Sequence, residues 1–430
     1  MSEYLIVAFI VFLLLYFLLG VPVAYALGLA SLTIMVMPIG PPLNVTVIGS
    51  RFFAGINSFV LLAIPFFMLA GRLMNDGGAT EPLFEFARAL VGNVRAATAH
   101  VNIVASMIFS GMSGVAVADA AGLGAIEYKA MKSENYDDGF SVSITGASSV
   151  IGPIIPPSLP LIIYGILAQV SIGALFIAGI LPGIIIGMSL MVVVILFAFV
   201  NDYPGGDPRS FHTIIQTFWT AFPALLTPVI IIGGIMFGIF TPTESAIVAS
   251  IYALLIGHFW YRELSVSQTY RIFLETLVDT AVLILIVAVA NLYGFLLITA
   301  GIPQQLAAGV IGVTADPLII TLLLVGLLLL VGTMLETISA LTIFVPVLLP
   351  IINLAEIDPV YFGVIMVFTL MIGLLTPPFG VVLFVLERVT GVRVDRIVRS
   401  MVPFYIPLIV SLIIMILVPA TVMFLPNFFL

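Results

Sequence analysis

Two stretches of this chain combine helix-breaking residues with hydroxyls inside apolar segments of membrane length. The first is Ile144-Thr-Gly-Ala-Ser-Ser-Val-Ile-Gly-Pro-Ile-Ile-Pro-Pro-Ser158; the second is Ile372-Gly-Leu-Leu-Thr-Pro-Pro-Phe-Gly380. Gly152 and Pro153 interrupt a helix, and Pro156–Pro157 cannot continue its hydrogen-bond ladder. Unwound backbone at membrane depth survives only where it is buried in protein or lines a cavity. Carbonyls freed there can coordinate a cation, and half-helix N-termini can attract an anion. A plain proline kink explains either break taken alone; two at matching positions argue for a shared role.

Each break has a companion. Ser110-Gly-Met-Ser-Gly114 and Gly332-Thr-Met-Leu-Glu-Thr-Ile-Ser339 join pairs of short apolar segments. Their hydroxyls offer oxygen donors of the kind hard cations prefer; their small residues also suit close helix packing. Asp119 and Glu336 lie in these pairs, and an intramembrane carboxylate is a functional hypothesis by default. Glu336 is placed to help bind a cation. Glu244, in Thr241-Pro-Thr-Glu-Ser245, has two readings: a functional carboxylate, or a cap in the first turn of a helix starting at Pro242. No lysine or arginine falls at the centre of an expected crossing. An anionic ligand would then be held by helix N-termini and by Ser, Thr or Asn groups such as Asn291. Cysteine is absent, and His100, His212 and His258 are far apart, so neither a thiol nucleophile nor a metal cluster is expected. No phosphate-binding Gly-x-x-x-x-Gly-Lys loop is present. We therefore expect no enzyme, no cofactor and no ATP hydrolysis by this chain.

The elements that must position these groups follow from composition. Of 430 residues, 62% are hydrophobic and 8% charged, against about 25% charged in soluble domains. Helices are expected at 4–19, 21–39, 58–75, 172–200, 213–239, 243–260, 276–299 and 402–425. Amphipathic stretches cover 43–57 and 79–92. Short paired segments lie at 96–110 with 115–128 and at 315–334 with 338–352, and broken helices at 138–170 and 361–386. The legs of the first pair hold about 14 residues, roughly 21 Å of helix, too short for a core of about 30 Å. Reading both pairs as re-entrant hairpins places 12 of the 13 basic residues on one side, with only Arg51 on the other. That side is cytoplasmic by the positive-inside rule, which puts both termini outside. Glu127, Lys129, Lys132, Glu134 and Asp137 read as a solvated cytoplasmic loop.

The chain also matches itself. An offset of 221 residues sets Gly111 on Gly332, Asp137 on Asp358, Gly152 on Gly373, and Pro156–Pro157 on Pro377–Pro378. With an odd number of crossings in the first half, the second half is inverted, a pattern of secondary transporters. The expected fold is an all-α integral membrane protein with an inverted repeat, two re-entrant hairpins and two broken helices. The first repeat is 1–200: scaffold and arm 1–95, hairpin and broken helix 96–170, closing helix 171–200. Residues 201–212 form a cytoplasmic linker. The second repeat is 213–430: scaffold and arm 213–314, hairpin and broken helix 315–386, closing helix 400–426.

These segments, with Gly238-Ile-Phe-Thr-Pro-Thr-Glu-Ser-Ala246 and Asp358-Pro-Val-Tyr-Phe-Gly-Val-Ile365, resemble the large membrane subunit of tripartite ATP-independent periplasmic (TRAP) transporters along essentially the whole chain. The resemblance implies sodium-coupled symport of an organic acid, a dicarboxylate or sugar acid, across the inner membrane. It implies two partners: a periplasmic substrate-binding protein and a small four-helix membrane subunit. It implies an elevator mechanism in which 96–170 and 315–386 move against a scaffold. One sodium site would use Ser113, Gly114, Ser148 and Gly152; the other Gly332, Glu336, Thr337, Gly373 and Thr376. Substrate would lie between them, on Thr145, Ser149, Ser158, Glu244, Asn291 and Pro377. The chain departs from the family at Gly114-Val115-Ala116, where more hydroxyls are usual, and at Glu336, where aspartate is usual. Ile126-Glu-Tyr128 and Asn135–Tyr136 also replace a proline and a glycine-tyrosine pair. The alternative is a self-sufficient sodium/carboxylate symporter of similar fold.

Overall fold

The computed structural model describes residues 7–9, 11–13, 15–16, 19–37, 45–201, 203–206 and 210–429, without the side chains of residues 113, 311 and 313. Most of the expected first helix is therefore only partly described, and Arg209 lies outside the described residues. Among the described residues all regular structure is helical except one isolated bridge, Arg95 with Gly205. That bridge, with Ala96 N–H donating to the Pro204 carbonyl at 3.1 Å, fixes the linker against the start of the first hairpin.

The element order repeats. An arm helix Thr80–Val91 precedes the first hairpin, whose legs are Ala97–Ser113 and the pair Ala116–Ala121 with Leu123–Ser133. The broken helix Asp138–Ser149 and Leu159–Ala168 follows, then the closing helix Ile172–Val200. In the second half the arm is Ile302–Val313, the hairpin Pro317–Gly332 and Thr337–Leu354, the broken helix Pro359–Leu374 and Val381–Thr390, and the closing helix Val394–Leu417. Asp137 and Asp358, matched in the sequence, both cap their broken helices: Asp137 accepts from Phe140 N–H, and Asp358 from Val360 and Tyr361 N–H. Both breaks obey the same steric rule. A proline ring clashes with the carbonyl four residues earlier; Pro153 and Pro377 point that clash at Ser149 and Gly373, where the helices end within a residue.

Hydropathy misplaces some ends because it finds the membrane-embedded part of a helix and not the helix. Val266–Thr299 begins ten residues before the expected 276, launched by a Ser265–Gln268 capping box, and carries Arg271, Glu275 and Asp279 on its first turns. The last helix was expected over 402–425. It begins at Val394 and stops at Leu417, because Pro419 forces Val418 out of the helical region; Ala420–Phe429 is separate. The first hairpin leg runs 17 residues, longer than the 14 expected, since the small residues of its tip stay helical up to Gly114. Among the described residues seven helices are long and apolar enough to cross a membrane, and Thr337–Leu354, a hairpin leg, is one of them.

Much of the packing falls within two groups of helices, which meet through Ala63–Asp76 on Ala97–Ser113 and Val266–Thr299 on Thr337–Leu354. Ala63–Asp76 lies on Pro242–Leu255, Val23–Val36 and Val45–Ile56 lie on Val266–Thr299, and Phe211–Met236 joins Thr80–Val91. The hairpins, broken helices and closing helices form the other group: Val394–Leu417 packs on Asp138–Ser149 and on Ile172–Val200. Each arm grips one hairpin, Thr80–Val91 the leg Ala97–Ser113 and Ile302–Val313 the leg Thr337–Leu354.

Candidate functional site

Both hairpin tips are bonded to the breaks. The Leu159 N–H donates to the Gly114 carbonyl at 3.3 Å, and the Phe379 N–H donates to the Thr333 carbonyl at 3.2 Å. Gly114 sits at φ +61, and a Cβ there would strike the Pro157 carbonyl, so this tip requires glycine on two counts. At the other junction Gly332 and Gly373 touch backbone to backbone: a Cβ on Gly332 would lie 3.1 Å from the Gly373 Cα. Irregular backbone carbonyls thus meet hairpin tips at two places, the two junctions to which the sodium residues were assigned.

Around the first junction the polar groups are buried and linked. Asn102 Nδ2 donates to Thr145 Oγ1 at 2.7 Å, and Ser148 Oγ donates to Asn102 Oδ1 at 2.7 Å. Ser149 Oγ donates to the Gly146 carbonyl at 2.8 Å. Ser158 donates to the Pro153 carbonyl and accepts from Leu161 N–H, closing the break and capping the second half-helix. Gly152 is buried, and a Cβ there would land on the Asp119 carboxylate. The Ser113 side chain lies outside the described residues.

At the second junction Glu336 caps the leg Thr337–Leu354, accepting from Ile338 N–H at 2.9 Å and Ser339 N–H at 3.3 Å. Thr337 is 2% exposed, and its Oγ1 has no hydrogen-bond partner among the described residues. A buried hydroxyl without a partner costs about 1–3 kcal/mol, so this oxygen has reason to bind something. Thr376 Oγ1 donates to the Ile372 carbonyl at 2.8 Å. Pro377 is exposed and forms a cis bond with Pro378, as Pro156 does with Pro157.

Two assigned residues stand apart from the junctions. Glu244 is exposed and forms a capping box with Thr241: the Thr241 N–H donates to Glu244 Oε2 at 2.8 Å, and the Glu244 N–H donates to Thr241 Oγ1. Of its two readings, the cap is the one the geometry displays. Asn291 lines a cavity of about 970 Å³ between the two groups of helices.

Other residues matter that the sequence reading passed over or misplaced. Glu127, expected in a solvated loop, is 1% exposed and accepts from Ser106 Oγ at 3.4 Å. The helix Leu123–Ser133 turns this residue inward, toward the first hairpin leg. Glu134 does sit at the loop, where Arg88 from the arm and Thr98 from the hairpin both bond it. Asn102 was missed. Its signal was the four-residue spacing of Thr98, Asn102, Ser106 and Ser110, one stripe of one helix face, and all four are buried. Replacing Asn102 by alanine removes a donor to Thr145 and an acceptor for Ser148. The expected cost is about 1–3 kcal/mol, read as a lowered midpoint in thermal melting of the detergent-solubilised chain; an unchanged midpoint would mean the network adds no stability.

An all-helical polypeptide of this hydropathy, with duplicated hairpins bonded to duplicated helix breaks, is a polytopic membrane protein of a transporter fold. The same fold is found in the YdaH transporter of Alcanivorax borkumensis, with a TM-score of 0.64 at 13% identity over 94% of this chain and 97% of that one. The chain belongs to the family described as the tripartite ATP-independent periplasmic transporter, DctM component, which matches residues 9–421. It is 41% identical to the sialic acid TRAP transporter large permease protein SiaM of Vibrio cholerae over 96% of each chain. It is 37% identical to the C4-dicarboxylate TRAP transporter large permease protein DctM of Pseudomonas aeruginosa over 94% of each. Both relatives are named as permeases.

Proposed function

We propose that this chain carries an organic acid anion inward across the inner membrane, coupled to sodium, with a periplasmic binding protein and a small membrane subunit as partners. The observation that carries this reading is the pair of tip–break junctions, each joining irregular backbone to a hairpin tip. Junctions that gather backbone and hydroxyl oxygens in this way suit sodium, which is cargo here. The unsatisfied Thr337 hydroxyl supports a ligand at the second junction. Substrate would sit between the junctions, near Thr145, Ser149, Ser158 and Pro377. Of the relatives above, one is named for sialic acid and the other for C4-dicarboxylates, which supports a carboxylate substrate. Alternating access follows if the hairpins and broken helices move as a body between inverted scaffold halves. The closing helices pack within that body, so we include them in it. Both termini lie on the periplasmic side, opposite the basic loops.

Proteoliposomes test the proposal directly. Uptake of radiolabelled sialate or succinate should require an inward sodium gradient, the small subunit and the binding protein together. Uptake by the chain alone would establish the self-sufficient carrier instead, and sodium-independent uptake would remove the coupling.

A further inference from the structure

The cavity that Asn291 lines has a chemistry of its own. Arg51, Gln169, Ser171, Thr241 and Asn291 face it, and among the described residues no acidic one does. Arg51 is the one basic residue that the charge pattern places opposite the cytoplasmic loops. Its guanidinium lies 4.0 Å from the centroid of the Phe295 ring. A guanidinium stacked on a ring keeps its in-plane N–H donors available, and the Arg51 side chain makes no ion pair or hydrogen bond with any described residue. The amides of Asn291 and Gln169 have no side-chain partner among the described residues either. One fixed cation and two amide groups, all uncommitted, line a cavity large enough for a small-molecule ligand.

We propose that Arg51, Asn291 and Gln169 form a first docking site for the carboxylate of the transported anion, ahead of the tip junctions; this rests on the function proposed above. A carboxylate accepts two N–H bonds from a guanidinium in one plane, and the amides supply further donors. The site is bipartite. Arg51 and Asn291 belong to the scaffold helices Val45–Ile56 and Val266–Thr299, whereas Gln169 ends the half-helix Leu159–Ala168 of the inner body. Motion of that body takes Gln169 away and disassembles the site, so the anion is received in one state and released from these groups in the next. Along helix Val266–Thr299 the lining runs about 10 Å from Ile298 to Asn291, past Gly294, where Pro346 of the second hairpin packs.

The natural absence of cysteine makes the test clean. A single Asn291→Cys thiol is introduced with Arg51 intact and again with Arg51→Gln. Each is reacted with an anionic methanethiosulfonate (ethylsulfonate) and a cationic one (ethyltrimethylammonium). With Arg51 present the anionic reagent should be favoured, and the preference should fall about tenfold in Arg51→Gln, the scale of one charge-assisted contact. In the same liposome assay Arg51→Gln, in the otherwise native chain, should raise the KM for uptake about tenfold with the saturated rate kept within about twofold. Arg51→Lys should recover part of the loss. A reagent preference indifferent to Arg51, or an unchanged KM, overturns the proposal. Absence of sodium-driven uptake by the native system would instead defeat the transport reading, and the reagent ratio would still judge the cavity.

Discussion

Gly373→Val is expected to abolish uptake, by at least about a hundredfold, while leaving Gly326→Val near the native rate. A Cβ on Gly373 would lie 2.5 Å from the Gly332 Cα, and backbone cannot swing aside as a side chain can. Overpacking of a tight interior typically costs about 1–3 kcal/mol through forced displacement; here the displaced atoms are the hairpin tip and the helix break themselves. Gly326 lies on the same hairpin with nothing within 4 Å of its Cβ position, so its substitution controls for insertion and folding. Size-exclusion and uptake on both variants make the comparison. Full uptake by Gly373→Val would mean that the second junction is not part of the transport path.

A disulfide between Gly294→Cys and Pro346→Cys is expected to stop transport, with uptake reduced at least about tenfold and recovered on reduction. Gly294 lies on the scaffold helix Val266–Thr299, and Pro346 on the hairpin leg Thr337–Leu354. A Cβ on Gly294 would stand 3.4 Å from the Pro346 Cβ, close to the roughly 3.5–4.5 Å that a disulfide requires. With no native cysteine, the bond can form only at the intended place. Locking the two groups of helices in register tests the moving body as a whole, whatever the substrate. Undiminished uptake by the fully oxidised protein would end the alternating-access reading.

Both experiments draw on features that were partly legible from residues alone. The breaks were readable because proline acts on the carbonyl four positions back regardless of what surrounds it. The repeat was readable because Gly111, Gly152, Asp137 and the proline pairs have counterparts at one offset, and those residue types are kept for backbone reasons. Less was readable where tertiary packing decides. Glu127 looks like its charged neighbours in the sequence, and only the packing of its helix against the hairpin buries it. The tip–break hydrogen bonds join residues 45 and 46 positions apart, beyond any local pattern. Glu244 was the reverse case: Thr-x-x-Glu is itself a capping signature, so the cap was one of the two readings the residues offered, and the capping box is what forms. The cavity around Arg51 had only a faint trace, one basic residue on the wrong side of a charge count.

The buried stripe Thr98, Asn102, Ser106 and Ser110 has an ancestry written into it. Its counterparts at the repeat offset are Ile319, Leu323, Leu327 and Val331, and the first three of these are exposed on the outside of the helix. Copies of a duplicated gene begin as interchangeable parts. These have ceased to be. A chimera made of two first halves would turn three hydrogen-bonding side chains toward hydrocarbon, and one of two second halves would lose the Asn102–Thr145–Ser148 network altogether. Each copy has become committed to the neighbours on its own side. Divergence of this kind does not readily run backward, since no single substitution restores the exchange.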